Sequence, residues 1–434
     1  MGKGQNLWKK AKKLIPGGNM LLSKRSEMFL PELWPSYFSK AKDIYVWDLD
    51  NKKYTDMCIM GIGTNSLGYG NKHVDKAVND VIKSGNMSTF NCPEEVYLAE
   101  KLVDMHPWSD MVRFARSGGE ANSIAIRIAR AASGKDNIAI CGYHGWHDWY
   151  LSANLSSNSN LDGHLLPGLS PKGVPRVLEG TVHPFKYNDL ETLKSLIKTK
   201  DIGVIKMEVA RNLEPSKSFV QSVRDLATEH NIVLIFDECT SGFRETFGGL
   251  HKKFNVAPDI CMFGKALGNG YAVTSIIGKR EIMESAQSTF ISSTFWTERI
   301  GSVAALTTLK VMEEEKSWET ISKKGKFIKK NWLRLAKNHG LEISIGGLSA
   351  IPNFSFKYKN NISYKTFISQ EMLKKGFLSS NVIFVCTKHT ESAISKYFDL
   401  LDTIFYKIKK SEEKGNINEL LDGPIAHSGF NRLN

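Results

Sequence analysis

The stretch from residue 232 to residue 271, IVLIFDECTSGFRETFGGLHKKFNVAPDICMFGKALGNGY, decides the predicted fold. Its first apolar run, Ile232–Asp237, is predicted to be a strand, at whose end the carboxylates of Asp237 and Glu238 follow one another. A second predicted strand, Ile260–Phe263, leads directly to Lys265 in a glycine-rich turn. In an open α/β sheet, ligands bind beyond the carboxyl ends of the strands. We therefore expect a carboxylate and an amine to share one crevice.

The pairing of Asp237 with Lys265 indicates a specific chemistry. A lysine that is desolvated at a sheet edge has a lowered pKa and can attack a carbonyl carbon to form a Schiff base. A carboxylate in the same crevice can keep a heteroaromatic nitrogen protonated, which pyridoxal phosphate requires to act as an electron sink. One alternative is the acidic Walker-B strand end of a P-loop nucleoside triphosphatase. It fails because the chain has no G-x-x-x-x-G-K-[ST] run, the phosphate-binding motif of those enzymes. Lys265 alone would more often be a solvated turn lysine, and its pairing with Asp237 favours the catalytic interpretation.

A phosphate-binding turn is predicted at residues 116–121, RSGGEA. Backbone N–H groups at the start of a helix suit a phosphate dianion, and this turn offers those of Gly118 and Gly119 together with the Ser117 hydroxyl. A helix cap followed by a packing turn would use the same residues. Both interpretations of this turn stay open on the sequence alone.

An aromatic residue follows the predicted strand Ile138–Cys141 in the run YHGWH at 143–147. An aromatic ring at a strand end can lie on the face of a cofactor ring, and Tyr143 is the candidate. His144 and His147 have a spacing that occurs in metal sites. No acidic or cysteine ligand joins them in the sequence, so we expect no metal.

The rest of the chain predicts an α/β fold with two domains. Strand-like runs alternate with helical periodicity from about residue 73, which favours a mostly parallel sheet covered by helices on both faces. We expect a large domain at 59–314 and a smaller α+β domain formed by 1–58 and 315–434. The remaining predicted elements are helices at Val74–Ile82, Glu94–Met105, Ala121–Ala132, Ala304–Glu315 and Glu391–Ile408, strands at Met111–Ala115, Gly203–Val209, Val273–Ile277, Ile343–Ile345 and Ile351–Phe356, and a hairpin within 43–57.

Composition and charge exclude several classes of protein. With 434 residues, of which 41% are hydrophobic, the chain can bury a substantial core, and no apolar run reaches the ~20 residues of a membrane span. The net charge is +13, but after residue 300 the lysines are scattered among acidic and polar residues, which predicts a solvated surface and no nucleic-acid partner. The six cysteines are dispersed, which favours a reduced, cytoplasmic enzyme.

Taken together, the motifs are similar to those of one family. The chain resembles the class III pyridoxal-phosphate-dependent aminotransferases of fold type I, and within that class the glutamate-1-semialdehyde 2,1-aminomutase branch. The resemblance covers about residues 16 to 310, and the last 120 residues match more loosely. The motifs that carry it are VWDLDNKKYTDM at 46–57, NSLGYGN at 65–71, RSGGEANSIAIRIAR at 116–130, YHG at 143–145, FDECTSGFR at 236–244 and FGKALGNGY at 263–271.

The resemblance implies a role for each matching residue. Lys265 matches the lysine that forms the Schiff base with the cofactor and carries the proton, and Asp237 matches the partner of the pyridinium nitrogen. Glu208 ends the strand where the family has a glutamate near the cofactor. Thr294 matches a threonine that the neighbouring subunit offers to the phosphate, which implies a homodimer with shared active sites. The phosphate loop and ring-stacking position fall on Ser117, Gly118, Gly119 and Tyr143.

The chain departs from the family pattern around the substrate pocket. Gly119 stands where many members have threonine, and a bulky, charged run FWTER at 295–299 replaces a small turn that contains glycine. The N-terminal run of the aminomutases is only partly matched, at Pro16–Asn19. A substrate carboxylate would need a bidentate cation, for which the candidates are Arg25, Arg211, Arg244 and Arg299.

The predicted function is transfer of an amino group between small-molecule amines and carbonyl compounds through Lys265. Intramolecular transfer of the aminomutase type stays open, because the named residues do not separate the two reactions. A dinucleotide-dependent oxidoreductase would need G-x-G-x-x-G after its first strand, and the nearest run, GIGTNS at 61–66, lacks the third glycine.

Overall fold

The computed structural model describes residues 2–164, 167–430 and 433. The chain divides into a large unit, residues 72–319, and a small unit formed by 1–71 and 320–434. These boundaries differ from those expected at 58/59 and 314/315. Residues 59–71 stay with the small unit because Asp43 and Tyr69 exchange backbone hydrogen bonds of 2.8 and 2.7 Å. Trp318 stays with the large unit, where its ring stacks on that of Phe247 at 5.0 Å.

The strands are numbered in chain order. They are β1 Phe38–Lys42, β2 Tyr45–Asp48, β3 Lys53–Met57, β4 Met111–Ala115, β5 Asn137–Cys141, β6 Val182–Pro184, β7 Ile202–Glu208, β8 Val233–Glu238, β9 Ile260–Phe263, β10 Thr274–Gly278, β11 Ile343–Gly346, β12 Asn353–Phe356 and β13 Phe377–Ser379.

The helices are numbered in the same way. They are α1 Lys3–Leu14, α2 Met60–Gly63, α3 Lys72–Ser84, α4 Glu94–Met105, α5 Gly118–Ser133, α6 Asp148–Leu151, α7 Leu190–Thr199, α8 Lys217–Glu229, α9 His251–Phe254, α10 Arg280–Met283, α11 Arg299–Glu315, α12 Ser317–Asn338, α13 Asn361–Lys374 and α14 Glu391–Lys414.

The large unit contains a sheet in the order β4-β10-β9-β8-β7-β5-β6. The five strands from β9 to β6 are parallel, which confirms the predicted α/β fold with a mostly parallel sheet. Strand β10 is antiparallel to both of its neighbours, β9 and β4. The reason is the connection between β9 and β10: only residues 264–273 join them, which is too short for the helical crossover that a parallel pair requires. That reversal is the turn that contains Lys265.

Helix α5 covers the face of this sheet that carries the candidate site. Its alanines Ala121, Ala125 and Ala129 are fully buried and pack in one core cluster with strand residues such as Ile235 and Met262. Small side chains let the helix approach the strands closely. The helix begins with a capping box, in which the Ser117 side chain accepts from the Glu120 backbone N–H and the Glu120 carboxylate accepts from the Ser117 N–H. The start of α5 is therefore fixed beside the carboxyl ends of the strands.

The small unit is α+β and uses both ends of the chain. Strands β2 and β3 form the predicted hairpin, and β13, from the C-terminal part, pairs with β3 in parallel to give the sheet β1-β2-β3-β13. Strands β11 and β12 form a separate antiparallel pair. The lysine-rich stretch after residue 316, in which no helix was predicted, is the 22-residue helix α12. Within the described residues, no helix is both long and apolar enough to cross a membrane.

Candidate active site

Asp237 lies at the carboxyl end of β8 and is buried. Its Oδ1 accepts the Cys239 backbone N–H at 3.1 Å, and its Oδ2 accepts from Nδ1 of His144 at 2.9 Å. Lys206 Nζ lies 3.8 Å from the same Oδ2. Burial alone would raise the pKa of Asp237, but the Lys206 ammonium and the His144 hydrogen bond outweigh it and lower that pKa well below its usual range. The carboxylate is therefore ionised.

Lys265 begins the short 3₁₀ turn after β9, with a backbone φ of +44°. Its Nζ donates a 2.6 Å hydrogen bond to Oγ1 of Thr240, which lies in the loop after β8. Burial, assisted by the positive charge of Arg211, lowers the pKa of the Lys265 amine to about 8. A substantial fraction of this lysine is unprotonated at neutral to mildly basic pH, so it can act as a nucleophile.

Glu208 is the third residue of the site and lies at the end of β7. In the parallel pairing of β7 with β8, it is directly opposite Asp237. Its Oε2 accepts the Tyr143 backbone N–H at 3.0 Å, and its Oε1 accepts from Nη1 of Arg211 at 2.7 Å. The Arg211 guanidinium lies 5.5 Å from the centre of the Tyr143 ring. Gly142 permits this approach, because a Cβ there would lie 2.8 Å from Oε2 of Glu208. Glu208 thus connects the aromatic residue to the arginine.

The predicted phosphate turn lies at the N-terminus of α5. At Gly118 an added Cβ would find its nearest neighbour, Sγ of Cys239, at 3.9 Å, which leaves room beside the backbone. At Gly119 an added Cβ would lie 2.9 Å from Nε2 of His147, whose Nδ1 contacts Oγ of Ser123. The His147 ring therefore occupies the space into which a side chain at position 119 would extend.

The other sequence candidates are not all at this site. Thr294 is exposed in a 3₁₀ turn that is tied to α5 through a 3.0 Å hydrogen bond from Trp296 Nε1 to Glu120. Arg299 forms a bidentate pair with Glu94, with N–O distances of 2.9 and 2.6 Å. Arg25 belongs to the small unit, where its guanidinium lies 5.8 Å from the centre of the Phe430 ring. Arg244 is fully buried, and burial lowers its pKa to about 10.

The second carboxylate of the predicted pair, Glu238, points to the opposite face of the sheet. Its Oε1 accepts from Nδ1 of His251 at 2.6 Å, and Nε2 of His251 accepts from Nε1 of Trp108 at 3.1 Å. Glu238, His251 and Cys261 offer ligand atoms within 4.8 Å of one another, but both ring nitrogens of His251 already make hydrogen bonds. This cluster is buried and hydrogen-bonded within the protein.

The structure adds three residues that the sequence analysis did not assign. Thr240 accepts from Lys265, His144 donates to Asp237, and Lys206 supplies the buried cation beside Asp237. The signal for Lys206 was present, since it is a charge inside the otherwise apolar run GVIKM at 203–207. His144 was considered only as a metal ligand, which the sequence analysis did not favour, and the structure shows its ring hydrogen-bonded to the Asp237 carboxylate. Of the predicted residues, the structure brings Lys265, Asp237, Glu208, Tyr143 and Arg211 together.

Known proteins resemble this chain in sequence and in fold. Residues 32–384 match the family model of the class III aminotransferases. The chain is 30% identical over 428 residues to the 3-aminobutyryl-CoA aminotransferase of Cloacimonas acidaminovorans, with 94% of this chain and 98% of the relative covered. It is also 30% identical over 432 residues to the glutamate-1-semialdehyde 2,1-aminomutase of Methanocaldococcus jannaschii, with 93% and 98% covered.

Among solved structures, the PLP internal aldimine form of the FumI protein of Sphingopyxis sp. MTA144 superposes with a TM-score of 0.85. The two chains are 24% identical, and the match covers 95% of this chain and 98% of that one. This likeness shows a shared fold. The family match and the 30% identity over nearly the whole chain show more: the chain belongs to the class III aminotransferase family and is a pyridoxal-phosphate-dependent enzyme of amino-group transfer.

Proposed function

We propose that Lys265 and Asp237 are the residues through which this enzyme moves an amino group between a small-molecule amine and a carbonyl compound. The observation that carries the proposal is their placement: a lysine whose pKa is lowered to about 8 and an ionised, buried carboxylate lie at the ends of neighbouring strands. When bound, pyridoxal phosphate supplies an electron sink for a carbanion at the substrate α-carbon. That cofactor needs both an amine and an acceptor for its ring nitrogen.

The donor set fits the cofactor. The capping box engages the backbone N–H groups of Ser117 and Glu120, so the N–H groups that the start of α5 offers to a phosphate are those of Gly118 and Gly119, and the backbone is open on one side at Gly118. Asp237 offers an ionised carboxylate for a protonated ring nitrogen, and Tyr143 offers an aromatic face at the end of β5. We assign the phosphate to Ser117, Gly118 and Gly119 on this basis.

Each remaining side chain of the site has a distinct task. The Thr240 hydroxyl, which accepts from Nζ of Lys265 at 2.6 Å, orients the amine. With the cofactor bound, Nζ of Lys265 would take up and return the proton of the substrate α-carbon. Glu208 fixes Tyr143 through its backbone N–H and holds Arg211 in place.

Arg211 is the candidate for a substrate carboxylate or phosphate among the four arginines. Its side chain is about one-fifth exposed, and one guanidinium nitrogen, Nη1, is engaged with Glu208. Arg299 pairs through two nitrogens with Glu94, and Arg244 is fully buried. Replacing Arg211 with methionine is expected to raise KM for an anionic substrate and to leave KM for a neutral amine unchanged.

We also propose a homodimer that works in the cytoplasm. Four aromatic side chains of the large unit are between 68% and 87% exposed: Phe90, Trp146, Phe290 and Phe295. Large apolar side chains in this number favour a protein interface, and the resemblance assigns Thr294 to the partner's phosphate site. The six unpaired cysteines suit a reducing compartment. Sedimentation of the wild type as a dimer, and of a Phe90→Asp and Phe290→Asp double variant as a monomer, would support this assembly.

Intramolecular transfer remains a second candidate, because one of the relatives with 30% identity is a glutamate-1-semialdehyde 2,1-aminomutase. An amine and carbonyl screen with the cofactor-loaded enzyme, glutamate-1-semialdehyde included, separates the two reactions. An aminomutase converts that compound without any second substrate, whereas a transaminase requires an amino donor and releases its keto acid.

The main proposal is tested by cofactor uptake. The wild type should carry a visible absorbance after purification or after addition of pyridoxal phosphate, and Lys265→Ala should lose the covalent component of that absorbance. Arg211→Met keeps Lys265 but removes the positive charge that helps to lower its pKa, so this variant should retain the covalent absorbance at mildly basic pH. A colourless wild type that also fails to take up added cofactor would overturn the proposal.

A further inference from the structure

The feature that the proposed reaction leaves unused is a buried lysine in the middle of the sheet. Lys206 lies on β7, its side chain is completely buried, and it shares a sheet face with Asp237 and Met262. A charged side chain with no access to solvent is costly unless an opposite charge compensates it. Lys206 therefore requires a partner of opposite charge.

Asp237 is that partner. Nζ of Lys206 lies 3.8 Å from Oδ2 of Asp237 and donates a 3.1 Å hydrogen bond to Sδ of Met262. A thioether is a weak acceptor, so the carboxylate is the main electrostatic partner of the ammonium. The other ionisable groups that act on Lys206 are Cys239, Cys261 and Glu208. Asp237, Cys261 and Glu208 are buried, and Cys239 is half-buried. The contact between Lys206 and Asp237 is therefore not a surface ion pair.

We propose that Lys206 is a positioning residue that neutralises Asp237 from inside the sheet and so limits how strongly this carboxylate binds the protonated ring nitrogen of the cofactor. The proposal rests on the assignment of Asp237 to that nitrogen. A cation on the far side of a carboxylate reduces its affinity for a proton or a second cation. Through this contact, Lys206 influences how strongly the cofactor ring withdraws electrons from the substrate, and it does so without contacting substrate.

Two consequences separate this role from simple packing. If Lys206 only filled space, replacing it with an uncharged side chain of similar length would affect folding and every ligand equally. If it counterbalances Asp237, the replacement strengthens one contact selectively, the one between Asp237 and a ring N–H. The contacts of the cofactor with Lys265 and with the phosphate turn should not change.

The experiment compares equilibrium binding of pyridoxal phosphate with that of its 1-deaza analogue, in which a C–H replaces the ring nitrogen. Both compounds keep the aldehyde and the phosphate, so the ratio of their dissociation constants reports the ring-nitrogen contact. We define the ratio as the dissociation constant of the 1-deaza analogue divided by that of pyridoxal phosphate. In Lys206→Met this ratio should be about tenfold larger than in the wild type, because a tenfold change corresponds to a shift of roughly one unit in the pKa of the Asp237 carboxylate. Lys206→Gln, which retains a polar end, should shift the ratio in the same direction and serves if the methionine variant does not fold.

The matched control is Ile205→Met, a replacement of similar volume at the neighbouring buried position, which faces the other side of the sheet. It should leave the ratio unchanged. An unchanged ratio in both folded Lys206 variants would overturn the proposal. Failure of the underlying assignment looks different: the wild type itself would then bind both compounds alike, and Asp237→Asn would change nothing.

Discussion

The adjacent carboxylates Asp237 and Glu238 end the same strand, and each accepts a hydrogen bond from Nδ1 of a histidine. Glu238 is fully engaged, since it also accepts the backbone N–H of His251, the backbone N–H of Leu250 and the Ser241 hydroxyl. A network whose acceptors are all satisfied makes a rigid support.

On the other face, Asp237 has fewer fixed partners. It accepts one backbone N–H and the His144 ring and faces the Lys206 ammonium, while Nε2 of His144 is buried without a hydrogen-bond partner among the described residues. Buried polar groups that are incompletely satisfied are expected where a ligand completes them. In the proposed function, a carboxylate therefore serves the cofactor on one face of the sheet, and the carboxylate one position later supports the scaffold on the other face.

The largest expected effect comes from Asp237→Asn. Losing the charge that faces the ring nitrogen should lower kcat/KM by about a thousandfold, because electrostatic stabilisation of the developing carbanion is lost. The substitution also leaves the Lys206 ammonium, 3.8 Å from Oδ2 of Asp237, without its charged partner, so the cofactor-free protein should lose about 3 kcal/mol in its free energy of unfolding as well. Steady-state kinetics with a reactive amine donor measure the effect, and a loss below tenfold would contradict the role of Asp237.

Glu238→Gln should lower stability without a comparable loss of kcat/KM. It leaves His251 and several buried donors without their charged acceptor, so we expect a loss of about 3 kcal/mol in the free energy of unfolding. Denaturant unfolding of the cofactor-free protein measures it, and Ser241→Ala, which removes a single donor, should cost about 1 kcal/mol. A well-folded Glu238→Gln protein that cannot bind pyridoxal phosphate would refute the division between the two faces.

His144 and His251, the histidine partners of Asp237 and Glu238, provide a second test of the difference between the two faces. His144→Phe removes the hydrogen-bond donor to Asp237. It should reduce kcat/KM about tenfold, because a hydrogen bond that orients a cofactor-binding side chain commonly contributes that much. His251→Phe removes the partner of both Glu238 and Trp108 and should lower stability by about 2 kcal/mol with little effect on kcat. Measuring both quantities for both variants is decisive, because equal profiles would mean that the faces do not differ in function.

The smallest expected effect is the pH dependence of cofactor capture. The unprotonated amine is the nucleophile, and burial lowers the pKa of Lys265 to about 8. Stopped-flow capture of pyridoxal phosphate by the cofactor-free protein should therefore accelerate with rising pH and level off above about pH 8. A rate that continues to rise towards about pH 10, the range of an ordinary lysine, would show that Lys265 is not desolvated in solution.

Much of this arrangement was predictable from the sequence. Apolar runs that end in Asp237 and at Phe263 identified the central strands, and the rule that ligands bind at strand ends placed Lys265 beside Asp237. The two-residue period of a strand also implied that Asp237 and Glu238 face opposite sides. Which of the two faces the cofactor depends on where α5 packs, and that is decided by tertiary contacts.

Other features could not be read from local pattern. The antiparallel direction of β10 follows from the short turn that contains Lys265, and the expectation of a mostly parallel sheet did not identify which strand is reversed. Helix α12 was missed because its buried positions are separated by many lysines. Arg299 was a substrate candidate by residue type, and only the position of Glu94, 205 residues away in sequence, identified its bidentate partner.

The central claim is that the enzyme holds its cofactor on Lys265, on the Asp237 face of the sheet. Reduction of the cofactor-loaded protein with borohydride fixes the bound group to its lysine, and peptide mass spectrometry then locates it. The account predicts that the modified peptide contains FGKALGNGY with the label on Lys265. A label on Lys206 or on any other lysine, with Lys265 unmodified, would contradict it.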